Sequence, residues 1–253
     1  MPVITPRKAL MNPELRRRGI YILPNLFTTA ALFAGFYAIV QAMNGRFENA
    51  AVAIFIAMVL DGLDGRVARL THTESAFGAE YDSLSDMVSF GAAPALVVYE
   101  WALKGMGKLG WIAAFIYCAG GALRLARFNT NIDVVDKRYF QGLPIPAAAA
   151  LVAGLVWIML DLGYSGEQAR WYACGLTIFA GITMVSNVRY WSGKDINLRR
   201  SVPFIVVPAM VLGSVLLSSY PEGVLFALFL GYALSGYAFA AWRWLQRHRR
   251  DTT

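Results

Sequence analysis

The sequence predicts an all-α protein, a bundle of about eight membrane-spanning helices. Hydrophobic residues make up 57% of the 253 residues and charged residues only 15%, whereas soluble domains carry about 25% charged residues. The apolar residues gather in runs of roughly 17–23, which is long enough for a helix to cross a bilayer. Because backbone polar groups in lipid must be satisfied within each segment and alternating strands are absent, the spans should be helices.

The predicted spans follow one another along the whole chain. They cover residues 20–42, 47–65, 83–103, 109–128, 144–162, 168–188, 202–219 and 223–243. With the N-terminus in the cytoplasm, 19 of the 23 lysines and arginines fall on the cytoplasmic side, as the positive-inside rule requires. The net charge of +7 is therefore explained by an anionic membrane face and does not indicate nucleic acid as a partner.

The spans imply one membrane domain over residues 20–244. A basic arm at 1–19 is expected to lie on the cytoplasmic membrane surface as a partly helical segment and not to be a cleaved signal. A basic cytoplasmic tail is expected at 245–253.

Four aspartates stand near the ends of the second and third spans, where a membrane protein normally avoids charge. Asp61 and Asp64 are three residues apart, and Asp82 and Asp86 are four apart, so each pair projects from one face of its helix. A carboxylate at the bilayer centre costs at least about 2.5 kcal/mol, and four together also repel one another. Such an all-oxygen set suits Mg²⁺ or Mn²⁺ and is large enough for two ions.

Two other interpretations of the aspartates stay open at this point. The four could form ion pairs with basic residues of the same segment or of the next spans. The candidates are Arg66, Arg69, Arg124 and Arg127. The aspartates could also belong to the cation pathway of a transporter, for which we would expect acids spread through the depth of several spans. Their clustering at one interface favours a metal site.

Small residues line the same segment and leave room for a bulky ligand beside the backbone. They are Gly62, Gly65, Ala68 and Gly78. Arg66 and Arg69 stand among them and can offer guanidinium groups to phosphate oxygens. The connection from Arg66 to Glu80 is short enough to hold the second and third helices side by side.

This segment resembles the signature of the CDP-alcohol phosphatidyltransferases, with eight residues separating its two halves. The matching positions are Asp61, Asp64, Gly65, Ala68, Arg69, Gly78, Asp82 and Asp86. The resemblance implies a membrane enzyme of that fold, which transfers a phosphatidyl group from a CDP-activated lipid to a small alcohol. It further implies two divalent metal ions, Mg²⁺ or Mn²⁺, a homodimer, and an active site facing the cytoplasm of a bacterial-type inner or cell membrane.

The resemblance also implies a role for each matching residue. All four aspartates would be metal ligands, with Asp82 bridging the two ions and Asp86 taking the proton of the attacking hydroxyl. The CDP group would lie against Gly65, Ala68, Arg69 and Gly78. Ser75 stands where a small hydroxyl residue can reach a phosphate.

A second short motif lies at the start of the first span. Residues 24–28, Pro-Asn-Leu-Phe-Thr, resemble a family motif in which Asn25 and Thr28 would help to hold the nucleotide. A helix cap is an equally good interpretation of the same residues.

Two further segments resemble the phosphatidylserine synthase branch of the family. They are residues 121–129 and 140–149. The resemblance implies CDP-diacylglycerol and L-serine as substrates and phosphatidylserine and CMP as products. Arg124 and Arg127 could bind the serine carboxylate through bidentate contacts, with Asn129 beside them. Both arginines could instead serve as positive-inside anchors.

Other functions remain to be weighed against this one. Glycerol 3-phosphate is the chief rival acceptor, which would make the chain a phosphatidylglycerophosphate synthase or another enzyme of the family. Outside the family, the alternatives are a cation-coupled transporter and a lipid-binding membrane protein without turnover.

Overall fold

The computed structural model describes residues 13–71, 73, 75–130, 139–191 and 206–251, which are helical except for one small ribbon and short connections. The α-helices are α1 (Pro13–Met43), α2 (Phe47–Thr71), α3 (Ala76–Asp86), α4 (Ala93–Val98), α5 (Lys108–Thr130), α6 (Ile145–Asp161), α7 (Gly166–Val185), α8 (Val206–Ser219) and α9 (Pro221–Asp251). Two π-helical segments, Met87–Ala92 and Tyr99–Leu103, and a 3₁₀ turn, Lys104–Met106, continue the path from α3 towards α5. Strands β1 (Tyr139–Gln141) and β2 (Arg189–Trp191) pair antiparallel.

A helix lies at each of the eight predicted spans, although residues 202–205 of the seventh span fall outside the described part. Three described helices are long and apolar enough to cross a membrane: Pro24–Met43, Lys108–Thr130 and Pro221–Arg243. Helix α6 is apolar but has only 17 residues, and α2 carries aspartates within its length. The helical membrane bundle is confirmed in this coarser form, and the number of eight crossings stays a prediction.

Several boundaries differ from those predicted. Helix α2 continues to Thr71 and α3 begins at Ala76, so the predicted loop of residues 66–80 is mostly helix. Hydropathy missed these turns because it detects only the apolar part of a helix. Helix α3 begins where Ser75 caps it, by accepting a hydrogen bond from the Gly78 N–H at 3.0 Å. The ribbon of β1 and β2 was not predicted, because three residues are too few to show a strand pattern.

Helices extend into both of the predicted terminal segments. Helix α1 begins at Pro13, inside the predicted arm of residues 1–19, and α9 runs to Asp251 through most of the predicted tail. Residues 1–12 and 252–253 lie outside the described part.

Helix α6 lies at the centre of the bundle, packed against α2, α7 and α9. The run Ala147–Ala150 is buried and gives α6 a thin profile, which lets neighbouring backbones approach closely. Helices α5 and α7 approach in the same way, since a Cβ on Gly120 would lie 2.5 Å from the Gly181 carbonyl oxygen. Small residues therefore determine how closely the helices pack.

Helix α1 packs along α2 and also contacts α3, the helix that follows α2. Ser85 Oγ donates to the Thr28 carbonyl at 3.1 Å, and Ser89 Oγ donates to the Ala31 carbonyl at 3.1 Å. Both serines are buried, so these bonds join α1 to the path from α3 to α4 in a dry environment. As a result α2 and α3 lie against the same helix.

The π-helical segment Met87–Ala92 follows directly after α3. Pro94 has no N–H and therefore cannot donate an α-helical hydrogen bond to the Phe90 carbonyl four residues earlier. The hydroxyl of the fully buried Tyr117 in α5 donates to that carbonyl at 2.9 Å. A side chain of α5 thus supports the backbone of the neighbouring π-helical segment.

Candidate metal centre

Three aspartates from two helices meet at one point. Asp61 and Asp64 project from α2 and Asp82 from α3, and one carboxylate oxygen of each lies within 4.8 Å of the others. Asp64 is buried, and Asp82 Oδ1 is buried without a hydrogen-bond partner among the residues that the structure describes. A buried carboxylate oxygen that lacks a partner is costly, so this geometry fits a bound cation.

Asp86 lies one helical turn beyond Asp82 and joins the same group. Its carboxyl is within hydrogen-bonding reach of the Asp61 carboxyl. All four predicted carboxylates therefore lie close together. Asp61, Asp64 and Asp82 form the group within 4.8 Å, and Asp86 adjoins it through the Asp61 carboxyl. Hard divalent cations prefer such oxygen ligands.

The ion-pair interpretation of the aspartates is not supported among the described residues. None of the four lies within 4.0 Å of a basic side chain, and the ion pair that is present joins Lys104 to Glu100 at 2.8 Å, elsewhere in the fold. The negative charge of the cluster is thus not balanced by arginines in direct contact.

Thr28 of α1 orients one of the carboxylates. It is buried, and its hydroxyl lies 2.9 Å from Asp64 Oδ2, to which it donates, and 3.2 Å from the Pro24 carbonyl. The alternative of a helix cap at Asn25 and Thr28 is wrong, because α1 begins at Pro13 and continues through Pro24. A hydroxyl that holds a ligating carboxylate acts as the outer support of a metal site.

Replacing Thr28 with valine should weaken metal binding about 10- to 100-fold, the usual cost of losing an outer-shell hydrogen bond. Valine keeps the shape and removes the donor to Asp64. Isothermal titration of the detergent-solubilised protein with Mn²⁺ measures the change. Thr29→Val is the matched control, because the Thr29 hydroxyl contacts Tyr81 at 2.9 Å and not the aspartates. Equal Mn²⁺ affinity in both variants would contradict the role of Thr28.

The glycines near the aspartates have few neighbours in the described part of the chain, where the sequence predicted the nucleotide. A Cβ on Gly62 or Gly65 would meet no described atom within 4 Å, whereas a Cβ on Gly78 would lie 3.1 Å from Ser75 Oγ and 3.6 Å from Asn25 Oδ1. The starts of α3 and of the Pro24–Met43 stretch therefore face each other across Gly78. Ser75 Oγ accepts the α3 cap bond and keeps its own proton for donation.

The remaining residues predicted for the CDP group lie along α2. Arg69 is exposed, and its Nε donates to the Gly65 carbonyl at 2.9 Å, which holds the guanidinium along the helix. Ala68 is half-buried on the same turn. Their predicted contacts with the nucleotide stay predictions.

The three residues predicted for serine are placed differently from one another. Arg124 is buried, and its Nε has no hydrogen-bond partner among the described residues. Asn129 Nδ2 donates to Ser83 Oγ at 3.0 Å. Of the three, Arg124 is the one with a buried guanidinium nitrogen that is left without a partner in the described part of the chain.

Arg127 is engaged in contacts within the protein. Its guanidinium donates to Gln141 Oε1 and to Asn187 Oδ1, both at 2.7 Å, and to the Val185 carbonyl at 3.4 Å. These bonds join the end of α5 to the ribbon and to the end of α7. Sequence analysis did not identify Gln141 or Asn187, because no local pattern links side chains so far apart in the chain. The predicted contact of Arg127 with serine stays a prediction.

Comparison with known proteins shows which family the chain belongs to. The family model for CDP-alcohol phosphatidyltransferase matches residues 21–185. A CDP-diacylglycerol–serine O-phosphatidyltransferase of Helicobacter pylori (strain J99) is 39% identical over 197 residues, 76% of this chain and 82% of that protein. Proteins of the same name from Mycobacterium leprae (32% over 245 residues; 93% and 81%) and Methanocaldococcus jannaschii (36% over 173 residues; 68% and 75%) are also similar. The chain therefore belongs to the CDP-alcohol phosphatidyltransferase family, in its phosphatidylserine synthase branch.

Proposed function

We propose that this phosphatidyltransferase makes phosphatidylserine and CMP from CDP-diacylglycerol and L-serine. The observation that carries the proposal is the meeting of Asp61, Asp64 and Asp82 within 4.8 Å, with Asp86 attached to them. The buried Arg124, whose Nε lacks a hydrogen-bond partner among the described residues, supports serine as the acceptor, because a carboxylate is the natural partner of a buried guanidinium. The names of the similar proteins point to the same reaction.

Asp61, Asp64, Asp82 and Asp86 would hold two divalent ions, Mg²⁺ or Mn²⁺. When bound, such ions supply positive charge to the pyrophosphate oxygens in the displacement at phosphorus. Thr28 keeps Asp64 in one orientation, so that the ligands need little rearrangement.

The CDP group of the lipid would occupy the space beside Gly62 and Gly65. Because these two glycines have no side chains, the pyrophosphate could approach the backbone of α2. Polar contacts would come from Asn25, Thr28, Arg69 and Ser75, and close approach from Ala68 and Gly78. The acyl chains would remain between the apolar spans, since leaving the lipid would expose their apolar surface to water.

Asp86 would accept the proton of the serine hydroxyl while Arg124, with Arg127 and Asn129 nearby, receives the serine carboxylate. The serine oxygen forms a bond to the lipid-side phosphorus, and the bond from that phosphorus to the bridging oxygen breaks. CMP departs with the electron pair of the broken bond. A carboxylate next to a guanidinium can thus combine proton transfer with orientation of the acceptor.

The membrane arrangement forms part of the same proposal. Eight crossings, with a basic arm at 1–19, a membrane domain at 20–244 and a basic tail at 245–253, would place the aspartates at the cytoplasmic face of a bacterial-type inner or cell membrane. The distribution of lysines and arginines supports this orientation. The homodimer is proposed from the family resemblance alone.

An acceptor panel tests the function directly. The purified protein in detergent, with CDP-diacylglycerol and Mn²⁺ or Mg²⁺, is given serine, glycerol 3-phosphate, inositol or choline. We expect CMP release and a phosphatidylserine product with serine, because a single carboxylate matches Arg124. Lipid chromatography identifies the product.

The other outcomes of the panel separate the rival functions. If only glycerol 3-phosphate gave a lipid product, glycerol 3-phosphate and not serine would be the acceptor. Nucleotide binding without any lipid product would indicate a lipid-binding protein, and cation flux in liposomes without product would indicate a transporter.

A further inference from the structure

A groove of about 480 Å³ runs between α5 and α7. The described residues that line it are apolar apart from Ser186 at one end. They include Phe115, Ala119, Gly120, Leu123, Ile182 and Val185. Of these, Phe115, Leu123 and Ile182 are 62%, 58% and 58% exposed. Because α5 is long and apolar enough to cross a membrane, the groove opens towards the lipid.

The groove exists because the two helices meet through glycines. A Cβ on Gly120 would lie 2.5 Å from the Gly181 carbonyl oxygen, and a Cβ on Gly181 would lie 2.8 Å from Tyr117 Cα. Glycines at such a crossing let the backbones approach closely but offer no side chain to fill the angle between the helices. An apolar space of this kind does not hold water.

The size of the groove favours an acyl chain as its occupant. A helix of another protein chain is about 10–12 Å across with its side chains, and it cannot fill the angle between two helices that touch through their backbones. A methylene chain is slender enough to follow that angle. The volume of the groove also falls in the range of sites that bind small ligands.

A positive charge lies at one end of the groove. Val185 and Ser186 line that end, and the Arg127 guanidinium donates to the Val185 carbonyl at 3.4 Å. A phospholipid has the complementary arrangement, an anionic phosphate joined to apolar chains, and guanidinium groups bind phosphate oxygens well. The groove therefore matches a phospholipid both in its apolar length and in the charge at its end.

Helix α5 separates the groove from the side of the aspartates. Leu123 on the groove side is exposed, whereas the next residue, Arg124, is buried. A Cβ on Gly121 would lie 3.6 Å from Gly91 Cα, in the π-helical segment that follows Asp86. Since the donor lipid reacts on that inner side, the lipid in the groove is a different molecule.

We propose that the groove between α5 and α7 binds one acyl chain of a resident bilayer phospholipid, with its phosphate at the Arg127 end. This lipid is not consumed in the reaction. It fills the angle between α5 and α7 on the bilayer side and restores the packing contacts that the glycines leave out. The inference does not depend on which alcohol is the acceptor.

The test is the Ala119→Phe variant, which places a ring inside the groove. Delipidated protein in detergent is titrated with phosphatidylglycerol that carries palmitoyl and oleoyl chains, and native mass spectrometry measures the affinity for the first lipid bound. We expect this affinity to fall about tenfold, because the ring takes the volume that the acyl chain needs. Ala122→Phe is the matched control, since Ala122 is exposed on the same helix and does not line the groove. It should bind the lipid as the wild-type protein does.

A second variant decides the matter if Ala119→Phe does not fold. Leu123→Ala removes an exposed side chain from the wall of the groove and leaves the buried core unchanged. We expect the affinity for the first lipid to fall about threefold, because the acyl chain loses apolar contacts.

The remaining outcomes would overturn the inference. Wild-type affinity in both groove variants, or an equal loss in Ala122→Phe, would show that the first lipid binds elsewhere. We expect the KM for CDP-diacylglycerol in Ala119→Phe to stay within about twofold of the wild-type value. A larger rise would assign the groove to the donor lipid. Conversion of a dimer to a monomer by Ala119→Phe, with no lipid retained by the wild-type protein, would assign it to a second copy of the chain.

Discussion

The Asp86→Asn variant is expected to release CMP about 10³-fold more slowly than the wild-type enzyme with CDP-diacylglycerol, serine and Mn²⁺. An amide cannot accept the hydroxyl proton, and loss of a positioned base typically costs 10²- to 10⁴-fold. The structure places this carboxyl beside Asp61, so the substitution also removes one negative charge from the cluster. Single-turnover measurement of CMP at saturating serine gives the rate.

Glu80→Gln is the control for that substitution. Glu80 lies on the same helix and loses its charge in the same way, but its side chain is exposed. We expect CMP release by this variant at the wild-type rate. Wild-type turnover by Asp86→Asn would remove Asp86 from its proposed role, whatever the result with Glu80→Gln.

The Gly142→Ala variant is expected to lose on the order of 3 kcal/mol of stability, from a left-handed backbone and a steric clash together. Gly142 follows β1 with a φ of 76°, and its N–H donates to the Val188 carbonyl at 2.8 Å. A Cβ there would lie 2.1 Å from the Met184 carbonyl oxygen, so the backbone must move. The midpoint of thermal unfolding in detergent measures the loss.

Gly163→Ala separates the two causes. Gly163 has a φ of 77°, almost the same as Gly142, but a Cβ there would meet no atom of the described residues within 4 Å. This control should lose only the cost of the left-handed conformation, about 1–2 kcal/mol. If both variants unfolded at the same temperature, the clash with Met184 would have no energetic weight.

Local geometry explains what could be predicted from the sequence. The spacing of the aspartate pairs follows from the helical repeat, so their convergence needed only two adjacent helices. Apolar runs likewise located the helices, because burial in lipid demands them. Each of these signals is contained within a few neighbouring turns.

The features that were not predicted depend on contacts between distant parts of the chain. The contact of Tyr232 with the Trp191 carbonyl crosses 41 positions, and that of Arg127 with Asn187 crosses 60. The periodicity of apolar residues along the sequence does not reveal such pairs. The cap interpretation at Asn25 was wrong for another reason: proline usually starts or ends a helix, but α1 continues through Pro24, as membrane helices can.

The hydrogen bond from Tyr117 to the Phe90 carbonyl has a consequence for the relative positions of Asp86 and Arg124. The π-helical segment after Asp86 accepts this hydrogen bond from α5, and α5 also carries Arg124. Helix α5 therefore connects the segment that follows the proposed proton acceptor with the proposed carboxylate-binding residue. We expect a displacement of α5 to move both of them together.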